Sequence, residues 1–275
     1  MPQLRRRGLL STSASGRAAV VSRSRGVVRR LFFAVVVAAA LVGVANIPTT
    51  TLQGVDYVVT AHSIPLYLKA TDFIDRDLHY RKLAAEVASG TVTPEARAKA
   101  VFDWTRANIR DTPPGFPVID DHIWHIILRG YGQSDQKADV FTTLLSYAGV
   151  PAYFIFIGPK PELTLSFAKI DGRWRVADVA NGVIFRTMGG RWATAEELAA
   201  DAALAVAQGP PTFGGRPYTR YFDRFHAPIP PDLTRADMQV PGVRTWFRIK
   251  KLAGFGGSEW EMRPPSRELS ATPSR

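Results

Sequence analysis

An α+β domain, with helices packed on an antiparallel sheet and preceded by one N-terminal transmembrane helix, is the architecture this sequence predicts. Three observations carry that expectation. An unbroken apolar run, LFFAVVVAAALVGVA, fills residues 31–45 directly behind Arg29 and Arg30. Between residues 66 and 148, stretches with apolar residues at helical spacing are bounded by capping and glycine signals. Two alternating runs then flank Asp171-Gly172, a strong two-residue hairpin signal.

The charge distribution explains the N-terminus. The 275 residues carry a net charge of +11, the balance of a nucleic-acid binder. Residues 1–30, however, hold eight arginines and no acid, so the rest of the chain has 27 basic against 24 acidic residues, or +3. The excess is a topogenic tail rather than a basic patch on the fold, and no nucleic-acid partner is expected. Residues 1–30 are read as a basic cytoplasmic tail and 31–47 as the anchor. Those 17 residues span roughly 25 Å as a helix, close to a bilayer core of about 30 Å. Arginines ahead of the segment hold the N-terminus inside, so the domain is expected on the extracytoplasmic side of the cytoplasmic membrane. A cleaved signal peptide is the rival, with "GVA" before Asn46 as its cleavage site; the length of the basic region favours an uncleaved anchor.

The remaining elements follow in order. Residues 48–92 read as a linker or first strand and then a helix from Leu66 to about Ser89, stopped by Gly90. A core domain is expected over 93–208. Thr93-Pro94-Glu95 opens its first helix with a capping hydroxyl, a first-turn proline and an acid at the positive helix end. Ala98, Val101, Phe102 and Ile109 form its apolar face, with Trp104 at the edge. Asp121 to Leu128 reads as a short helix leading into a glycine turn. After Ser134, a helix places Ala138, Phe141, Leu145 and Ala148 on one stripe until Gly149 and Pro151 stop it. "AYFIFI" (152–157) reads as a buried strand. Thr194 to Glu197 is a capping box opening a helix to about Val206. Residues 209–260 form a C-terminal extension, mostly loop over 209–232, and 261–275 a polar, disordered tail. Within the extension, "YTRYFDRFH" interleaves aromatics with arginines, and "VPGVRTWFRIKKLAG" reads as a short helix with Val243, Trp246, Phe247 and Lys250 on one stripe beside Arg244, Arg248 and Lys251. That helix suits either docking on its own domain or an anionic membrane surface.

The absence of cysteine removes thiolate chemistry, disulfides and cysteine-held metals. The five histidines show no metal-ligand pattern; His122 and His125, three apart, would need a third ligand. No metal and no cofactor is expected.

The hairpin permits one geometric step. A two-residue loop at Asp171-Gly172 pairs Ile170 with Arg173, which sets Leu165 opposite Asp178 and Leu163 opposite Ala180. Leu163 and Asp178 then share a sheet face as diagonal neighbours, roughly 7–8 Å apart. A histidine at 163 would be oriented by Asp178, and a cysteine at a helix N-terminus would complete a Cys-His-Asp triad.

The motifs along this stretch are "GYG" at 130–132, Ala138, "GVPA" at 149–152, "DGRW" at 171–174, Asp178 and "NGVIF" at 181–185. In that order and spacing, residues 95–186 resemble the transglutaminase-like superfamily, in its bacterial branch of secreted or membrane-anchored members. The resemblance implies a papain-like fold, in which a helix carrying the nucleophile packs on an antiparallel sheet. It also implies that the family's cysteine position is Ser134 and its histidine position Leu163, with Asp178 the surviving triad member. Leucine accepts no proton, and losing triad members lowers rates on the order of a million-fold in a serine protease.

Each position also has a structural reading. Serine is a good helix N-cap, and Asp178 beside Asn181-Gly182 suits a hydrogen bond to the turn backbone. The expected function is therefore a transglutaminase-like pseudoenzyme of the cell envelope, binding or scaffolding a peptide or a cell-envelope polysaccharide. The alternative is a hydrolase or acyltransferase in which Ser134 recruits His122, His125 or His226 as base. A purely structural subunit, its groove filled by its own side chains, is a third reading.

Overall fold

The computed structural model describes residues 14–55, 58–118, 122–158, 162–201, 203–206, 212–222, 225, 230–231 and 233–255. His226 and the tail at 261–275 lie outside them. The described residues fall into two units, one running to Thr50 and including Ser63–Lys69, the other made of Thr51–His62 and the chain from Ala70.

The first unit is dominated by helix α1 (Ala14–Ala45). Within it, Val27–Ala45 is long and apolar enough to serve as a membrane anchor or a signal sequence, and none of it is buried by protein. An apolar helix with no polar face meets its needs in lipid rather than water. The Asn46 amide donates to the Val42 carbonyl at 2.8 Å, closing the helix end. Residues 48–62, expected as linker or first strand, form strand β1 (Pro48–Val55) and most of β2 (Val58–Pro65), paired in a two-stranded ribbon.

Helix α2 (Leu66–Val87) follows, and Gly90 adopts the left-handed conformation its position requires. Helix α3 (Pro94–Asn108) starts as its sequence dictates: Thr93 Oγ1 accepts the Ala96 N–H at 3.1 Å. Its buried residues, Ala98, Val101, Phe102 and Thr105, recur at helical spacing. Next come strand β3 (Arg110–Asp111), helix α4 (Ile123–Arg129) and strand β4 (Tyr131–Gly132), which pairs parallel with β3. Helix α5 (Ser134–Tyr147) is buried along most of its length.

Strands β5 (Ala152–Ile157), β6 (Leu163–Ile170), β7 (Arg173–Asp178) and β8 (Val183–Ile184) form one antiparallel sheet in that order. The turn between β6 and β7 has Asp171 at φ 51° and Gly172 at φ 76°, two left-handed residues in succession, and it pairs Ile170 with Arg173. That register extends to Ser166 opposite Ala177, one residue short of Leu165 opposite Asp178.

Two cores lie on the two faces of this sheet. Ala152, Ala168, Ile170 and Ala177 face a cluster with Val101, Phe102, Val140, Phe141 and Leu144 from α3 and α5. Tyr153, Leu163, Leu165, Phe167 and Val176 face a second cluster with Leu198, Tyr218, Tyr221 and Phe222. The helix expected over 194–206 appears as α6 (Ala195–Ala200) and α7 (Ala203–Val206), interrupted near Asp201, whose carboxylate accepts the Ala203 N–H at 3.1 Å. Thr194 and Glu197 make the reciprocal capping box at the start of α6.

Within 209–232, expected as mostly loop, the described residues include short pieces of regular structure. Strands β9 (Thr212–Phe213) and β10 (Arg216–Pro217) form a small hairpin, followed by a 3-10 turn at Tyr218–Tyr221. Tyr218 and Phe222 are fully buried there. Each aromatic contributes on the order of 2–3 kcal/mol by leaving water, so a segment rich in glycine and proline is nonetheless held against the sheet. Further on, Asp237–Gln239 is a 3-10 turn and helix α8 spans Pro241–Leu252.

Candidate functional site

The chain reaches Ser134 through a constrained turn. Gly130 closes α4 in the left-handed conformation, with its N–H on the Ile126 carbonyl. Gly132 is sterically required, because a Cβ there would lie 2.9 Å from Gln136 Cβ and 3.3 Å from an Ile126 methyl. The cap of α5 is Gln133, not Ser134: Gln136 Oε1 takes the Gln133 N–H at 3.0 Å, and the Gln136 N–H is shared between the Gln133 side chain and Asp135 Oδ1, the latter at 2.9 Å. With that reciprocal pair in place, Ser134 is the first helical residue and its hydroxyl is released from capping. Asp135, in the same first turn, sits where the helix dipole favours an acid.

The Ser134 hydroxyl turns instead to the sheet, where it accepts a hydrogen bond from Thr164 Oγ1 at 3.2 Å. Among the described residues no histidine, lysine or carboxylate hydrogen-bonds it. Lys137, one turn further along α5, is nearly buried, and its ammonium donates to Asp111 Oδ1 at 2.6 Å, joining α5 to β3. His122 and His125 lie at the start of α4 with their rings 5.5 Å apart, edge to face. Among the described residues no group of three or more histidine, aspartate or glutamate side chains is placed to hold a metal ion.

Leu163 and Asp178 share a sheet face, as the hairpin register requires, but that face is turned away from α5. Leu163 is fully buried in the cluster with Tyr218 and Phe222. Side chains alternate along a strand, so the residue that meets Ser134 is the next one, Thr164. Sequence reasoning missed Thr164, although its signal is visible: Thr164 and Ser166 alternate with Leu163, Leu165 and Phe167 in one strand. Ser166 Oγ is also buried and makes no hydrogen bond among the described residues.

Asp178 is fully buried, yet its carboxylate is well supplied with donors. Oδ1 accepts the Asn181 N–H at 3.0 Å and Oδ2 accepts the Asn181 amide at 2.7 Å. Oδ2 also accepts the hydroxyl of Tyr218, forty residues away. Burial pushes the carboxyl pKa up, while the bonds from Tyr218 and Asn181 and from nearby backbone N–H groups pull it down; burial wins. Burial and the adjacent carboxylate together raise the Tyr218 phenol far above its ordinary value, which keeps it a proton donor. The Asn181-Gly182 turn is fitted closely against α3: Gly182 has φ 75°, and a Cβ there would overlap the Arg106 guanidinium. Tyr218 carried no spacing signal that would have linked it to Asp178.

A second buried polar contact ties the C-terminal region to α5. Arg235 Nε lies 2.9 Å from Asp139 Oδ2, and Asp139 is nearly inaccessible. Thr234 and Asp237 brace this turn through reciprocal side-chain and backbone bonds of 2.8–3.0 Å.

Residues 81–195 match the family model of the transglutaminase-like superfamily. Among curated proteins, no match was found. Among solved structures, a candidate protease from Parabacteroides distasonis is similar at 12% identity and TM-score 0.32, over 54% of this chain and 40% of its own. A candidate cysteine protease from Cytophaga hutchinsonii gives 22% identity and TM-score 0.34, over 46% and 44%. A protein described as a TGase gives 11% and 0.32, over 54% and 47%. The chain thus spans less than half the length of each of these three.

Proposed function

Residues 81–195 are a transglutaminase-like domain, and from that premise we propose that this protein is a catalytically inactive member, membrane-anchored on the extracytoplasmic side. It works as a binding or scaffolding module for a peptide or a cell-envelope polymer. One observation carries the reading: the hydroxyl at the family's nucleophile position is met by another hydroxyl, that of Thr164, rather than by a base. A serine of ordinary pKa is a weak nucleophile and needs a proton acceptor within hydrogen-bond reach. Threonine does not take up a proton at neutral pH.

Asp178 supports the same reading. Its role in a triad would be to orient a histidine ring, but its oxygens are engaged by Asn181 and Tyr218. The residue has become a buried tie between the hairpin and the C-terminal region. The anchoring part of the reading rests on Val27–Ala45 and on the arginines ahead of it.

The test is labelling of the full-length protein, in membranes, with a fluorophosphonate probe. No labelling above the Ser134→Ala background is expected. Labelling that disappears in Ser134→Ala would establish the competing serine hydrolase or acyltransferase, and His122, His125 and His226 would then be its candidate bases.

A further inference from the structure

Helix α8 exposes most of its apolar side chains. Its 12 residues extend about 18 Å, and Phe247 is its buried residue, 5% exposed. Trp246 is 59% exposed, Ile249 50% and Leu252 89%, and Phe255 just beyond the helix is 79% exposed. Positions 246, 249 and 252 are three apart and form one stripe on the helix surface. Positions 244, 248 and 251 form another, and all three are cationic. From Val240 to Ser258 there are four basic residues and no acid. Arg244 lies over the Phe73 ring at 5.1 Å, so one edge of the helix rests on α2. Lys250 lies 5.4 Å from the centroid of the Trp246 ring, which puts an ammonium at the border of the apolar stripe.

We propose that α8 docks on the surface of a bilayer containing anionic lipid, with Trp246, Ile249 and Leu252 inserted at the headgroup boundary and the adjoining cations on the phosphates. Two observations select this occupant. The charges that α8 itself places beside the stripe are all positive, complementary to anionic headgroups, and its Trp-Lys pair has the amphipathic character that favours such a boundary. The same chain also carries a segment able to cross a bilayer, and tethering raises the effective concentration of that surface at α8. The anchor reading enters only through this concentration; the chemistry of α8 itself selects the lipid.

The absence of cysteine makes a clean test available. The full chain with Ile249→Cys is labelled with an environment-sensitive fluorophore and presented to vesicles of phosphatidylcholine, with or without phosphatidylglycerol. Met188→Cys, at a site 96% exposed on the domain, serves as the control. At 249, blue-shifted emission and quenching by brominated lipid are expected with phosphatidylglycerol and should weaken in high salt. Neither is expected at 188. Lys250→Gln with Lys251→Gln should weaken docking about 25-fold, or about fivefold per cation. Equal water access at 249 in both vesicle types would overturn the proposal, as would equal insertion into phosphatidylcholine alone. Protection that grows with protein density without brominated-lipid quenching would also overturn it and assign the face to a second copy. Resistance to alkaline extraction reports on α1 separately, so failure of the anchor and failure of α8 are distinguishable.

Discussion

The two faces of the central sheet treat two polar residues, Ser134 and Asp178, differently. On the α5 face, Ser134 is half-buried and makes one hydroxyl-to-hydroxyl bond of 3.2 Å, a contact that contributes little to stability. On the opposite face, Asp178 is fully enclosed and its oxygens take up hydrogen bonds from Asn181 and Tyr218. Those donors offset part of the cost of desolvating the buried carboxyl group. The aspartate is therefore tied into the fold by more hydrogen bonds than the serine.

Removing Asp178 should show the contrast most strongly. Asp178→Ala leaves the buried Tyr218 hydroxyl without its acceptor, while the exposed Asn181 can turn to water, and should destabilise the domain by about 2 kcal/mol, read as a shift in denaturation midpoint. Asp178→Asn keeps the shape and one acceptor and should lose less. An alanine variant as stable as wild type would show that the carboxylate is not the tie described here.

The facing of the strand can be tested through reactivity. Ser134→Cys combined with Thr164→His places an imidazole on the α5 face and should raise thiol alkylation about tenfold over Ser134→Cys alone. Ser134→Cys combined with Leu163→His should not, because that ring would enter the second core. The opposite ranking would mean that β6 presents its other face to Ser134.

The smallest effect expected is a dependence on pH. Because burial raises the Asp178 pKa above its unfolded value, the folded state holds a proton that the unfolded state has released over the interval between the two. Stability must then fall as pH rises through that interval, starting near the unfolded value of about 4. Asp178→Asn should lack this component, so wild type gains on the variant as the solution is acidified from neutrality. A gain in the other direction would mean that the donors outweigh burial.

Local signals were legible wherever the physics is local. The left-handed pair at Asp171-Gly172, the Thr93 and Thr194 caps and the alternation of β6 each follow from a few adjacent residues. Capping at Ser134 was misread because Gln133 and Gln136 satisfy each other, a pair that serine's general preference for the position hid. The layer formed by Tyr218, Tyr221 and Phe222 was not legible either, since glycine and proline around them announce turns and say nothing about which surface the aromatics will meet.

The run of residues from Leu163 to Asp178 contains enough to pair two strands and to place those two side chains on one face, because alternation and turn geometry act over nearest neighbours. It does not contain which face α5 will cover. That choice depends on how the apolar stripes of α3 and α5 and the later aromatics divide the sheet between them, a competition among segments far apart in the chain. Its outcome put Thr164 against Ser134 and Tyr218 against Asp178.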